Sequence, residues 1–131
     1  MIFPFKKPIQ DKPTRKQSGD AAEDQALQHL NREGLRLLQR NYRSPGRGGG
    51  EIDLIMATPD GTLVFVEVRQ RGSAEHGGAA ASVGRVKQQR IIFAARHYLL
   101  HLASLPPCRF DVVTVEPEGL NWIQAAFEAS Q

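Results

Sequence analysis

Apolar and polar positions along the chain fall into two periods. Helical spacing marks a stretch from about Ala21 to Glu33, with Ala22, Ala26, Leu27 and Leu30 on one side. Ser18 or Asp20 is placed to cap its start, and Gly34 to end it. A longer helical stretch runs from about Ser82 to Leu102, with Val83, Val86, Ile91, Ala94, Ala95, Tyr98, Leu99 and Leu102 near that spacing, until Pro106-Pro107 breaks it. Strand-like segments are Leu35 to Tyr42, 52–57, 63–69, Arg109 to Val115 and a last one around Leu120 to Ile123. The predicted order is therefore α-β-β-β-α-β-β. In the first strand the Arg36/Arg40 pair is expected on the exposed side, and the small-residue stretch Gly72 to Ala81 is expected to be flexible.

Two of these strands carry acids inside strongly apolar runs: Gly50-Glu51-Ile52-Asp53-Leu54-Ile55 and Val64-Phe65-Val66-Glu67-Val68-Arg69. Between them, Thr58-Pro59-Asp60-Gly61-Thr62 reads as a three-residue hairpin loop with Gly61 in the left-handed conformation. Pairing Thr58 with Thr62 and counting back sets Ile55 opposite Phe65, Asp53 opposite Glu67 and Glu51 opposite Arg69. Like charges held directly opposite are destabilising. A divalent cation between Asp53 and Glu67 converts that penalty into a site, since Mg²⁺ is usually held by one or two carboxylates plus waters and substrate phosphate. The plainer alternative is a solvated sheet face on which Glu51 and Arg69 form a cross-strand ion pair.

Other residues bear on the same spot. Glu23 borders the apolar stripe of the first helix and can reach a sheet which that helix covers, although a first-turn Glu is also favoured by the helix dipole alone. Lys87 is the only lysine beyond the first 19 residues. Its stem can lie along the core while its ammonium reaches a neighbouring site, or it is an ordinary surface lysine. The run Arg43-Ser44-Pro45-Gly46-Arg47-Gly48-Gly49-Gly50 is glycine-rich but lacks the lysine pattern and following helix of a nucleotide-binding loop. His97 and His101 stand four apart without the glutamate of a metalloprotease helix, so a zinc site is disfavoured. Asp111, within Arg109-Phe110-Asp111-Val112-Val113, is expected to pair with an arginine.

Charge sharpens the picture more than composition does. The net charge of +3 is carried by residues 1–19, which hold five Lys/Arg and one Asp, while residues 20–131 hold twelve basic and thirteen acidic groups. Residues 1–18 are accordingly expected to form a disordered basic tail, and 19–131 a single domain. Within residues 36–109, eleven basic residues face five acidic ones, three of which are Glu51, Asp53 and Glu67. An acidic spot in arginine-rich surroundings suits metal-assisted chemistry on a polyanion, and a solvated arginine-rich surface is the commoner cause of such a count. No apolar run reaches the roughly 18 residues of a membrane span. Met1 to Lys7 lacks the apolar run of a secretion signal and is expected to remain in the mature chain, and the single cysteine, Cys108, cannot make an intramolecular disulfide. The expected location is cytoplasmic.

Gly50-Glu51-Ile52-Asp53-Leu54-Ile55, Val64-Phe65-Val66-Glu67-Val68-Arg69, Arg40-Asn41-Tyr42-Arg43 and Arg109-Phe110-Asp111-Val112-Val113 together resemble the YraN family of small bacterial proteins, over about residues 19–127. The element order resembles the PD-(D/E)XK nuclease superfamily. That resemblance implies a restriction-endonuclease-like α/β core, a mixed central sheet of about five strands flanked by helices. It implies Mg²⁺ or Mn²⁺ on Asp53 and Glu67, with Glu51 beside them, Arg69 in the place of the usual lysine, and Glu23 as the glutamate of the first helix. A guanidinium stays protonated, so Arg69 can stabilise a phosphate but cannot act as a general base. Either the ion alone activates water, or Lys87 supplies the missing ammonium. The implied activity is metal-dependent endonucleolytic hydrolysis of DNA, branched or damaged DNA included, with Arg43, Arg47, Arg71 and Lys87 on the backbone and a homodimer as a compatible assembly. Two readings stand beside it: an inactive nuclease scaffold that binds nucleic acid, and an adaptor whose acidic hairpin faces a partner.

Overall fold

The computed structural model describes residues 14–72 and 83–129. Its elements run α1 (Arg15–Arg32), β1 (Arg36–Arg43), β2 (Glu51–Ala57), β3 (Leu63–Gln70), α2 (Arg85–Leu99), β4 (Cys108–Glu116) and β5 (Gly119–Phe127). This is the expected order. The strands form one mixed sheet in the order β1-β2-β3-β4-β5, antiparallel except for the parallel pair β3/β4, which α2 connects. Most of the expected tail lies outside the described residues, as does nearly all of the stretch from Gly72 to Ala81.

Helix α1 starts six residues before the expected Ala21. Thr14, not Ser18 or Asp20, is its N-cap: Thr14 Oγ1 accepts from Gln17 N (3.1 Å) and Gln17 Oε1 accepts from Thr14 N (2.9 Å). That reciprocal pair satisfies two of the helix's otherwise orphaned amides and outweighs a cap placed inside the helix. Residues 15–18 therefore belong to α1 and not to a tail.

The sheet is covered on both faces. Ala22, Ala26 and Leu30 of α1 pack on Leu54, Met56, Val64, Val66 and Val113. Ile91, Ala94 and Ala95 of α2 pack on Ile55, Phe65, Phe110 and Val112. Central strands buried on both sides read as nearly continuous apolar runs, as β2 and β3 do. The hairpin forms as expected: Thr58 N donates to Thr62 O (2.9 Å), Gly61 has φ +93°, and Ile55 stands opposite Phe65.

One irregularity bears on function. Along β2, Leu54 and Met56 face α1, yet Ile52 packs in the cluster under α2, so alternation slips across Asp53. On β1, between Arg40 (opposite Leu54) and Tyr42 (opposite Ile52), Asn41 has φ +56°, a conformation Asn tolerates better than most residues. Both features fall at the level of Asp53.

Candidate active site

The β2/β3 ladder runs from Ala57↔Leu63 to Leu54↔Val66 and ends there. Asp53 and Glu67 are the next residues on each strand, at the fork where the strands part. Asp53 Oδ2 accepts from Val68 N (2.8 Å), so the side chain engages the backbone of β3 at the fork. Glu67 is 3% exposed, and its Oε2 receives Lys87 Nζ at 3.1 Å and Arg69 Nη1 at a longer 3.5 Å. Each helix contributes from its own side of the sheet, α2 through Lys87 and α1 through Glu23.

These contacts set the electrostatics. Burial, and then the neighbouring charge of Glu67, push the Asp53 carboxyl up to about 8, against which the Val68 amide pulls down. Glu23 is also raised, by burial first, with Arg40 opposing the shift. Two carboxylates in contact, one of them holding its proton near neutrality, form a site short of positive charge. Lys87 partly supplies it.

The expected residues do not all converge. Glu51 does not pair with Arg69, because the strands have already parted; it lies 3.9 Å from Arg43 Nη2, its partner across β1/β2. Among the described residues no three His, Cys, Asp or Glu side chains form a preassembled metal cluster. Glu51 and Asp53 do line one cleft of about 190 Å³ with Gly49, Gly50, Lys87, Arg90 and Ile91. Arg43, beside Glu51, and Arg47, in the loop before β2, are exposed and do not line it. Arg71 lines a different cavity, of about 500 Å³, with Gln25, Gln70 and Glu116.

Three features were missed in the sequence. Arg40 is not an exposed residue: its Nε contacts Glu23 Oε1 (3.2 Å) and its Nη2 contacts Asp24 Oδ1 (2.8 Å) and Asp20 O (3.3 Å), tying β1 to α1. Strand alternation puts it on the solvent side only if no helix lies there. Arg90 lines the cleft one turn after Lys87. Gly50 makes this possible by lying against α2, where a Cβ would come within 2.9 Å of Arg90 Cβ. Gly49 and Gly50 serve close packing against Ser44 and α2, whereas Gly46 and Gly48 take positive φ with open space around them. His97 and His101 have structural contacts instead: His97 Nδ1 bonds Tyr42 Oη, and His101 Nδ1 lies 3.4 Å from Tyr98 O.

A family model described as "Uncharacterised protein family UPF0102", the YraN-like family, matches residues 22–115. The chain belongs to this family. A UPF0102 protein of Albidiferax ferrireducens is 72% identical over 88% of the chain and 91% of that protein. Another, from Paracidovorax citrulli, is 64% identical over 90% of the chain and 87% of that protein. Among solved structures, a repair endonuclease from Pyrococcus abyssi aligns at 18% identity with a TM-score of 0.41; the match covers 85% of this chain and 42% of that one. No helix among the described residues of this UPF0102 member is long and apolar enough to cross a membrane.

Proposed function

We propose that the protein is a metal-dependent endonuclease that hydrolyses phosphodiester bonds of DNA. The reading rests on one observation above the others: two carboxyl groups, Asp53 and Glu67, meet inside the sheet with Lys87 Nζ 3.1 Å from one of them. Mg²⁺ needs only one or two protein carboxylates, because waters and substrate phosphate complete its shell, so this pair fits it and Mn²⁺ equally. When bound, the ion supplies Lewis-acid stabilisation of charge developing on the phosphate.

The chain's own residues do the rest. Asp53 and Glu67 hold the ion, and Glu23, approaching Asp53 from α1, adds negative charge behind them. Lys87 pairs with Glu67 and orients it, and its remaining N–H groups aim the attacking water. Arg69, always protonated, takes charge from a non-bridging phosphate oxygen. Arg43, Arg47 and Arg90 hold the backbone on the cleft side, with Arg71 further out. The carboxylate–lysine geometry is thus rebuilt with an ammonium from a helix, in place of the one expected two residues after Glu67.

The test combines calorimetry with Mg²⁺ or Mn²⁺ and cleavage of linear, nicked, flapped and four-way DNAs. Asp53→Ala and Glu67→Gln should abolish the heat of metal binding and lower cleavage at least about 100-fold, the size of loss seen when one charge-stabilising group leaves an active site. Lys87→Ala should lower cleavage and retain metal binding. No metal heat in the native protein, with DNA affinity indifferent to Asp53→Ala and Glu67→Ala, would leave only a nucleic-acid-binding scaffold.

A further inference from the structure

The outer face of α2 continues from the cleavage site to apolar side chains that the cleavage chemistry leaves unused. Arg85, Lys87, Arg90 and Arg96 are all exposed, and no acidic residue occurs between Gly84 and Cys108. Along the same helix Val86, Phe93 and Leu100 recur at intervals of seven and are left in solvent, Phe93 at 44% exposure. Phe93 lies beside the glycine loop, where a Cβ on Gly49 would come within 3.4 Å of the ring edge, and one turn beyond Arg90, which lines the Asp53 cleft. It sits about 9 Å along the helix axis from Lys87. An aromatic ring is thus set among exposed cations, of which Lys87 is held by Glu67, next to the candidate scissile position.

We infer that this face of α2 binds an unpaired strand of nucleic acid, with Phe93 stacking on a base and Arg90 on the adjoining phosphate. Every base has a π-face, so a lone aromatic beside cations recognises unpaired nucleotides of any sequence. A duplex presents phosphates and sugars, which satisfy the arginines and leave the ring without a partner. A second copy of the chain packed through α2 sets Arg90 and Arg96 against their like, with no acidic residue on the helix to compensate. The inference rests on the endonuclease reading of the neighbouring cleft and narrows its substrate to DNA with single-stranded character, such as flaps, gaps or branch arms.

The test uses full-length Glu67→Gln protein without metal, and measures affinity for a labelled oligothymidine and for a duplex of equal length. Phe93→Ala should weaken oligothymidine binding about five- to a hundred-fold, the range of one lost base–aromatic stack. Phe93→Tyr should restore it to within about twofold, and duplex affinity should move less than about twofold in both. Arg90→Gln should lower the slope of log affinity against log salt by about 0.7 on the single strand. Unfolding curves unchanged for Phe93→Ala and Phe93→Tyr establish that the face, and not the fold, was altered. Equal losses on both nucleic acids, or none on either, overturn the inference. So does a dimer that Phe93→Ala dissociates, or binding to anionic vesicles that it abolishes, while oligothymidine affinity stays intact. Cleavage that depends on Glu67 alongside a flat Phe93 result refutes the stacking platform alone. Stacking without any Glu67-dependent cleavage refutes the nuclease reading alone.

Discussion

Two aspartates stand inside the same sheet in opposite circumstances. Asp111 on β4 is 0% exposed and fully supplied with donors: Arg109 Nε at 3.0 and 3.2 Å, Trp122 Nε1 at 2.9 Å and Ala125 N at 2.9 Å. Those bonds hold the irregularity between Phe110 and Val112, where β5 carries extra residues and Ala125 takes φ +51°. Asp53 on β2 receives one backbone amide and faces Glu67, with Glu23 adding further negative charge, and its carboxyl is pushed up to about 8. A buried acid that the fold needs is surrounded by donors. One left short of them, with other carboxyls for neighbours, marks a candidate functional site, and it is the spot at which the proposed ion would relieve the most repulsion.

The largest effect should come from the satisfied acid. Asp111→Ala removes the shared acceptor of a partly exposed guanidinium, an indole N–H and an amide at once, and should cost about 3 kcal/mol or more in urea unfolding, since each donor left without its acceptor costs about 1–3 kcal/mol. A loss under about 1 kcal/mol would erase the contrast. Asp53 should behave the other way. Its folded-state value lies above the ordinary 3.8, so the metal-free protein has the full benefit of that proton below about pH 4 and loses it as pH rises to about 8. Asp53→Asn should therefore raise the melting temperature of the metal-free protein at pH 8 and change it little at pH 4. Mg²⁺ should raise the native melting temperature more at pH 8.5 than at pH 6, since it competes with the proton. A melting temperature of native protein that is flat from pH 4 to 8 would contradict this.

Smaller, and on the site side of the contrast, is Gly50→Ala. The added methyl meets Arg90 Cβ at 2.9 Å and the Arg90 carbonyl carbon at 3.4 Å, neither the far end of a flexible chain, so backbone must shift, and the expected mover is α2. Overpacking of this kind costs about 1–3 kcal/mol. It should also displace Lys87 from Glu67, so that cleavage falls while metal binding persists. Unchanged stability would mean that the loop, and not the helix, yields.

Local physics was legible in the chain, and contacts between elements were not. The hairpin register followed from Thr58, Gly61 and Thr62, because turn chemistry fixes pairing over the first few residues; it placed Ile55 opposite Phe65 and brought Asp53 and Glu67 to the same point. It failed beyond them, at Glu51 and Arg69, because the strands separate where Asp53 takes the Val68 amide with its side chain. The start of α1 was written in Thr14-Arg15-Lys16-Gln17, a capping box that the weak apolar pattern of 14–20 concealed. Asp111's arginine was two residues away and visible. Arg40, by contrast, finds Glu23 seventeen residues distant on a helix whose placement across the sheet no local pattern records.

That Arg40 contact offers the finest test of what separates the two aspartates. Among the described residues Arg40 is the cation that pairs with Glu23, which in turn approaches Asp53, so it moderates the surplus of negative charge without reaching the fork itself. Arg40→Gln should destabilise the protein by about 1 kcal/mol at pH 8, the scale of a partly exposed ion pair. The cost should shrink as pH falls through the raised value of Glu23, because a protonated Glu23 no longer rewards the guanidinium. In a double-mutant cycle with Glu23→Gln, read by urea unfolding at pH 8, the coupling should be favourable and of similar size. It should fade at pH 4. Coupling that is absent at both pH values would make Arg40 a strut between β1 and α1 that acts through Asp24 and the Asp20 carbonyl, and would leave Asp53 with its full electrostatic strain.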